Sequence, residues 1–206
     1  MASAKAPPVD RRRQILDAAV RVFARQGFHA CRVSDIAREA GVAYGLVYHY
    51  FNSKEQVLNE LFTERWSLLL AAVEEIDARP IPPRSKLDAV AGFIIDSYRH
   101  DPELMKVIVV EVTRAANSFG RTHLPEIRKA YEGIAEIVAD AQRRGTFRDD
   151  VDPTFASMWF YGAIEQLLSG WVFELIPSAE TDFDRAREMV VETICGGLER
   201  SADGRA

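Results

Sequence analysis

Between residues 53 and 78 the apolar side chains recur every three or four positions. Val57, Leu61, Leu68 and Ala72 form one stripe, and Leu58, Phe62, Trp66, Leu69, Val73 and Ile76 run beside it. That spacing belongs to a helix with one covered side. Ser53 followed by Gln56, and Asn52 followed by Glu55, match the capping box that opens helices. A helix over this stretch spans roughly 39 Å at 1.5 Å per residue. Its end is abrupt, because "ARPIPPRS" places three prolines where no helix can continue. A rigid rod of that length limits the rest of the chain to elements that pack against helices.

The remaining sequence reads the same way. Ile15, Ala19, Val22 and Phe23 share a helical face that Gly27 closes. "CRVSDIAREAG" gives a short helix over 33–40, with Val33, Ile36, Ala37 and Ala40 inward and Gly41 as its stop. A tight connection leads to an aromatic helix over 44–50. Past the prolines, five more helices are expected. Two open on an acid followed by proline, Asp101-Pro102 and Asp152-Pro153, the N-cap and first helical position. Another is expected to begin at Leu124-Pro125 and stop at Gly145, one to run over 153–176 and the last over 182–198. Alternating patterns with hairpin turns are missing. The fold class is therefore all-α, with an arm over 1–9, a small N-terminal domain over 10–54, a connecting helix over 55–79 and a larger body over 84–200.

Charge is divided along the same line. The formal net charge of −5 hides a head, residues 1–54, with nine Lys or Arg against four Asp or Glu; the rest carries 17 basic and 27 acidic side chains. A polyanion is drawn to the head and kept off the body. The two cysteines, Cys31 and Cys195, are read as free thiols of a reducing cytoplasm. No apolar run of signal-peptide or membrane-spanning length is found.

"GVAYGLVYHYFNSKEQ" decides the function class. Three short helices in the basic part, the first two closed by glycine, suggest a helix-turn-helix, with 33–40 as its first helix and 44–50 as the recognition helix. In that motif the second helix enters the major groove. Leu46, Val47 and Phe51 hold it inward, leaving Tyr44, Gly45, Tyr48 and His49 outward. Phenol and imidazole groups hydrogen-bond phosphates, and flat rings pack on sugar or a thymine methyl. Gly45 allows close backbone approach. Lys54, at the start of the long helix, suits a phosphate. Arg11, Arg12 and Arg13 open the first helix either as solvated charges or as contacts to DNA backbone.

This segment resembles the hallmark of the TetR family of transcriptional regulators: Gly-Val, a short recognition helix, a Tyr-x-x-Phe core and a Ser/Asn-Lys-Glu helix start. "ILDAAVRVFARQGF" and "VSDIAREAG" are similar to that family's first two helices, so the resemblance covers about residues 10–65. Where the family usually has Ser or Thr to cap the second helix and touch phosphate, this chain has Cys31 and Arg32. Arg32 is expected to meet a phosphate and Ser34 to take part of the capping role. The resemblance implies a homodimer on an inverted-repeat operator in double-stranded DNA. It also implies a C-terminal domain whose small-molecule effector moves the two heads through the long helix. Within the family the segment is most similar to the acyl-coenzyme A-responsive regulators of fatty-acid degradation.

The body is less explicit. The 153–176 helix is apolar nearly all round, as a helix covered on more than one side must be; with Met189, Val190, Ile194 and Leu198 it is read as a four-helix seam between subunits. Effector-pocket candidates are Phe93, Ile94, Tyr98, Met105, Val109, Val112, Phe119 and Trp159, with Asn117, Thr113 or Glu165 as polar anchors, each equally compatible with plain core. Metal ligation by His100, Asp101 or His123 lacks the required spacing, and "RDDVDP" lacks that of a calcium loop. No cofactor motif and no nucleophile elbow, phosphate loop or zinc helix supports an enzyme. A protein-binding helical scaffold is the other alternative, and the charge division argues against it.

Overall fold

The computed structural model describes residues 10–113 and 118–199. Among them the chain forms helices and no strand, apart from one isolated bridge between Phe147 and Glu199. Two compact units emerge, one up to Phe62 and one from Thr63.

The first unit contains α1 (Arg11–Gln26), α2 (Val33–Ala40), α3 (Tyr44–Tyr50) and the start of α4 (Lys54–Asp77). Asp10 caps α1 by accepting from the Arg12 and Arg13 amides. Ile15, Ala19, Val22 and Phe23 of α1, Ile36 and Ala37 of α2 and Val47 of α3 are all buried, with α1 packed on α2 and α2 on α3. α2 ends in a Schellman turn: Gly41 takes φ 62°, Val42 N–H reaches Ala37 C=O at 3.0 Å and Gly41 N–H reaches Arg38 C=O at 3.1 Å. The turn of Gly41, Val42 and Ala43 then fixes the angle at which α3 leaves. Phe51 is 2% exposed beneath the Arg12 guanidinium, 5.4 Å from its ring centroid. Arg12 also pairs with Glu60 of α4. Burying a ring of this size contributes about 1.5–3 kcal/mol.

The second unit contains the rest of α4 and α5 (Pro83–His100), α6 (Pro102–Thr113), α7 (Ser118–Arg143), α8 (Pro153–Val172) and α9 (Glu180–Leu198). Its core is aliphatic, with Val73 and Ile76 of α4, Leu87, Val90 and Ile94 of α5, Ile134 and Ile137 of α7, and Phe160 and Ile164 of α8 all buried. α4 and α7 cross closely at Gly133, where a Cβ would stand 2.9 Å from Val73 Cγ1. Lys86 holds the start of α5 to the end of α4 by donating to Asp77, Oδ1 at 2.8 Å. Both acid-proline starts are present: Asp101 accepts from the Leu104 amide and Asp152 from those of Thr154 and Phe155.

Three boundaries differ from expectation. α7 starts at Ser118, so Pro125 lies inside it rather than at its opening. A proline there removes the hydrogen bond to the carbonyl four residues back and its ring crowds that carbonyl. α8 ends at Val172, short of 176, where Phe173 leaves the helix and Glu174 takes a positive φ of 56°. α9 opens at Glu180, two residues early, with Asp182 Oδ2 accepting from the Ala179 amide.

Candidate nucleic-acid interface and body cluster

Short α3 presents two faces. Val47 is buried and Leu46 half-buried, while Tyr44, Gly45, Tyr48 and His49 face outward. Tyr44 is 54% and Tyr48 43% exposed; their rings meet edge to face at 5.1 Å and their hydroxyls hydrogen-bond at 3.1 Å. That bond raises the Tyr48 pKa, and both hydroxyls reach solvent as donors and acceptors. His49 stands edge-on to Tyr50 at 5.1 Å. A Cβ on Gly45 would meet nothing within 4 Å, so nothing in the protein itself requires glycine there.

Lys54 departs from its expected role. Its ammonium donates to the carbonyls of Phe28 at 2.8 Å, His29 at 3.1 Å and Cys31 at 2.8 Å, and lies 4.7 Å from the Phe28 ring centroid. An ammonium has three donors, and all are spent. Lys54 therefore ties the loop before α2 to the start of α4 and offers no proton to a phosphate. Cys31, buried beside it, is inert, since burial pushes its thiol up to about 11 despite the nearby cation. Arg32 is the N-cap of α2 and stays exposed. The reciprocal capping bond comes from Asp35, whose Oδ2 accepts from the Arg32 amide at 3.0 Å, rather than from half-buried Ser34. The arginines of α1 are engaged internally: Arg11 with Gln14, Arg12 with Glu60, Arg13 with Asp17.

In the body, Phe93 lies under the Arg65 guanidinium at 5.0 Å, and half-buried Glu165 shares α8 with Tyr161. Burial raises the carboxyl pKa of Glu165. Tyr98 packs elsewhere, 5.5 Å from Trp171 and 5.9 Å from Phe183. Ile94, Met105 and Val109 are buried core. Trp159 is the clearest departure: at 59% exposed and stacked on Phe155 at 6.4 Å, it lies on the outside of α8 rather than in the core. Asn117 lies outside the described residues, as do the side chains of Val112, Thr113 and Phe119. His100 Nδ1–H donates to the Asp96 carbonyl at 2.6 Å, and His123 is buried, its pKa lowered by desolvation.

Residues 15–61 match the family described as "Bacterial regulatory proteins, tetR family", and residues 83–194 match "Tetracyclin repressor-like, C-terminal domain". The chain belongs to the TetR family. It is 31% identical over 186 residues to the fatty acid metabolism regulator protein of Bacillus subtilis, covering 90% of this chain and 94% of that one. Its structure is similar to that of the fatty acid degradation regulator FadR from Bacillus halodurans, with a TM-score of 0.83 and 26% identity, covering 96% of this chain and all of that one. It is also similar to FadR from Bacillus subtilis in complex with stearoyl-CoA, with a TM-score of 0.81 and 26% identity over 91% of this chain and 99% of that one. The relatives it matches are transcriptional regulators, not enzymes. This TetR-family chain is a ligand-responsive, DNA-binding regulator of transcription. Among its described residues no helix is long and apolar enough to cross a membrane.

Sequence reading missed Arg65, Tyr131 and Tyr161. A signal existed for the first: Arg65 interrupts the apolar stripe of α4, one turn from both Leu61 and Leu69.

Proposed function

We propose that the protein is a cytoplasmic repressor that holds an inverted-repeat operator as a homodimer and is released by a long-chain acyl-CoA. The outward quartet Tyr44, Gly45, Tyr48 and His49 on α3 carries the reading: polar, aromatic and sterically open groups on the basic head suit base edges and phosphates. Residues 10–54 read DNA, and 84–200 bind effector and pair the subunits. The acyl-CoA assignment draws its support from the two FadR structures, one of them named for its stearoyl-CoA complex.

The exposed apolar side of α8 and α9 supports the dimer. Phe155, Met158 and Trp159 on α8 and Met189 on α9 are each at least 50% exposed in one chain, and Gly162, Gly196 and Gly197 leave open space beside them. Apolar patches of this kind mark association surfaces, and the glycines let helices of a second copy approach closely.

The test is selection of DNA from random fragments of the source genome, with and without a panel of fatty acyl-CoAs. The expected result is a palindrome that long-chain acyl-CoA dissociates. A palindrome indifferent to the whole panel overturns the effector, and no enriched sequence at low salt overturns operator binding itself.

A further inference from the structure

Four helices of the second unit bring polar side chains together at a place that neither DNA binding nor the exposed α8–α9 side explains. Arg65 lies on the covered stripe of α4, between Leu61 and Leu69, both at most 5% exposed. Its guanidinium donates to Ser97 Oγ on α5 and lies over the Phe93 ring, and Ser97 Oγ donates onward to the Phe93 carbonyl at 2.6 Å. Tyr161 of α8 meets Tyr131 of α7 edge to face at 5.2 Å and lies 5.9 Å from Trp66 of α4. Glu165 follows one turn after Tyr161, the single charged residue in the twenty of α8.

Burial drives the Tyr161 phenol far above its ordinary range, raises Tyr131 and Glu165, and lowers Arg65. Yet Arg65, Tyr131, Tyr161 and Glu165 all keep part of their surface uncovered. These groups form a polar cluster that has lost much of its hydration without being sealed from solvent. Arg65 hydrogen-bonds a hydroxyl and lies over a ring, with Tyr161 and the Asp101 carboxylate acting on its charge without a hydrogen bond among the described residues. A desolvated guanidinium is costly unless its N–H groups find acceptors, and clusters of this kind mark binding sites.

We propose that Arg65, Tyr131 and Tyr161, with Ser97 and Glu165 beside them, form the polar station of the effector site, and that the guanidinium and the two phenols donate hydrogen bonds to the carbonyl or carboxylate oxygen at the head of an acyl chain. This rests on the acyl-effector reading above. The remaining guanidinium N–H groups and the two phenols supply the donors. The station makes the site selective for oxygen at the head of the chain as well as for apolar length.

Calorimetric titration of the full-length protein with palmitoyl-CoA, palmitate and S-hexadecyl-CoA tests it, since the thioether replaces the carbonyl oxygen with two hydrogens. Wild type is expected to bind the thioester at least about ten-fold more tightly than the thioether. Arg65→Met and Tyr161→Phe should shrink that ratio to within two-fold while leaving thioether binding unchanged. Tyr161→Phe removes one oxygen and keeps the packing, so it stands should Arg65→Met fail to fold. Palmitate binding as tightly as palmitoyl-CoA, with the same loss in both variants, identifies the oxygen as a free carboxylate and supports the station. Equal wild-type binding of thioester and thioether, or an unchanged ratio in both variants, overturns the station alone. No binding of any of the three by wild type overturns the acyl effector and the station together.

Discussion

Replacing Gly45 by alanine should move stability and DNA binding in opposite directions. Gly45 is the second residue of α3, its φ is not in the left-handed region, and a Cβ there meets nothing within 4 Å. Alanine therefore introduces no strain and no clash in the free protein. It removes the conformational freedom that glycine gives the unfolded chain, a gain of about 0.5–1 kcal/mol in a helix interior. For a chain of this size that raises Tm by about 1–4 °C. On the operator, the added methyl occupies the gap between α3 backbone and DNA. Overpacking a close contact costs about 1–3 kcal/mol, a roughly five- to 150-fold weaker Kd. Urea unfolding followed by circular dichroism reads the first effect, and fluorescence anisotropy on a labelled operator reads the second. Operator affinity unchanged within two-fold would refute the placement of Gly45 against DNA. Lost stability together with lost affinity would mean that glycine serves the fold instead.

Lys54→Ala leaves three carbonyls without their donor and should destabilise the head by about 1–3 kcal/mol in chemical denaturation. The dependence of log K on log salt should keep its slope; a slope lowered by about 0.9 would place Lys54 on a phosphate after all. Glu165 has a folded-state pKa raised by burial, so its contribution to stability is full below the ordinary carboxylate range and lost as pH rises through the raised value. Glu165→Gln should therefore raise Tm at pH 7 and flatten its fall with pH; an unchanged pH profile contradicts this. Trp159→Asp should yield a folded monomer in analytical ultracentrifugation, because the ring is 59% exposed and holds no core. A dimer that survives the substitution excludes the α8 seam.

Local rules were legible wherever one residue decides the backbone. Gly27 and Gly41 ended α1 and α2, the acids before Pro102 and Pro153 opened α6 and α8, and alternation between Val47 and its neighbours gave α3 its two faces. The same rule misled at Pro125, which lies inside α7 rather than opening it, although a proline there loses a hydrogen bond and crowds a carbonyl. Long-range partners were not legible. Lys54 finds its three carbonyls in a loop 23 to 26 residues away, and no spacing announces that. Trp159 was read as pocket because an aromatic residue on an apolar helix fits a core, a pocket and a subunit seam equally well. Arg65 was overlooked although its place on the α4 stripe was visible, because a single charge in a long helix is easily assigned to the solvent side.

The claim that α3 is the DNA-reading element is tested most directly by Tyr44→Ala combined with His49→Ala, measured on the selected palindrome and on a random duplex at one salt concentration. Both side chains are exposed, so the fold is expected to survive. The account predicts operator affinity at least about ten-fold weaker with random-duplex affinity nearly unchanged, which removes specificity while leaving the electrostatic attraction of the head. Full operator affinity in the double variant would contradict the account and put the reading surface elsewhere on the chain.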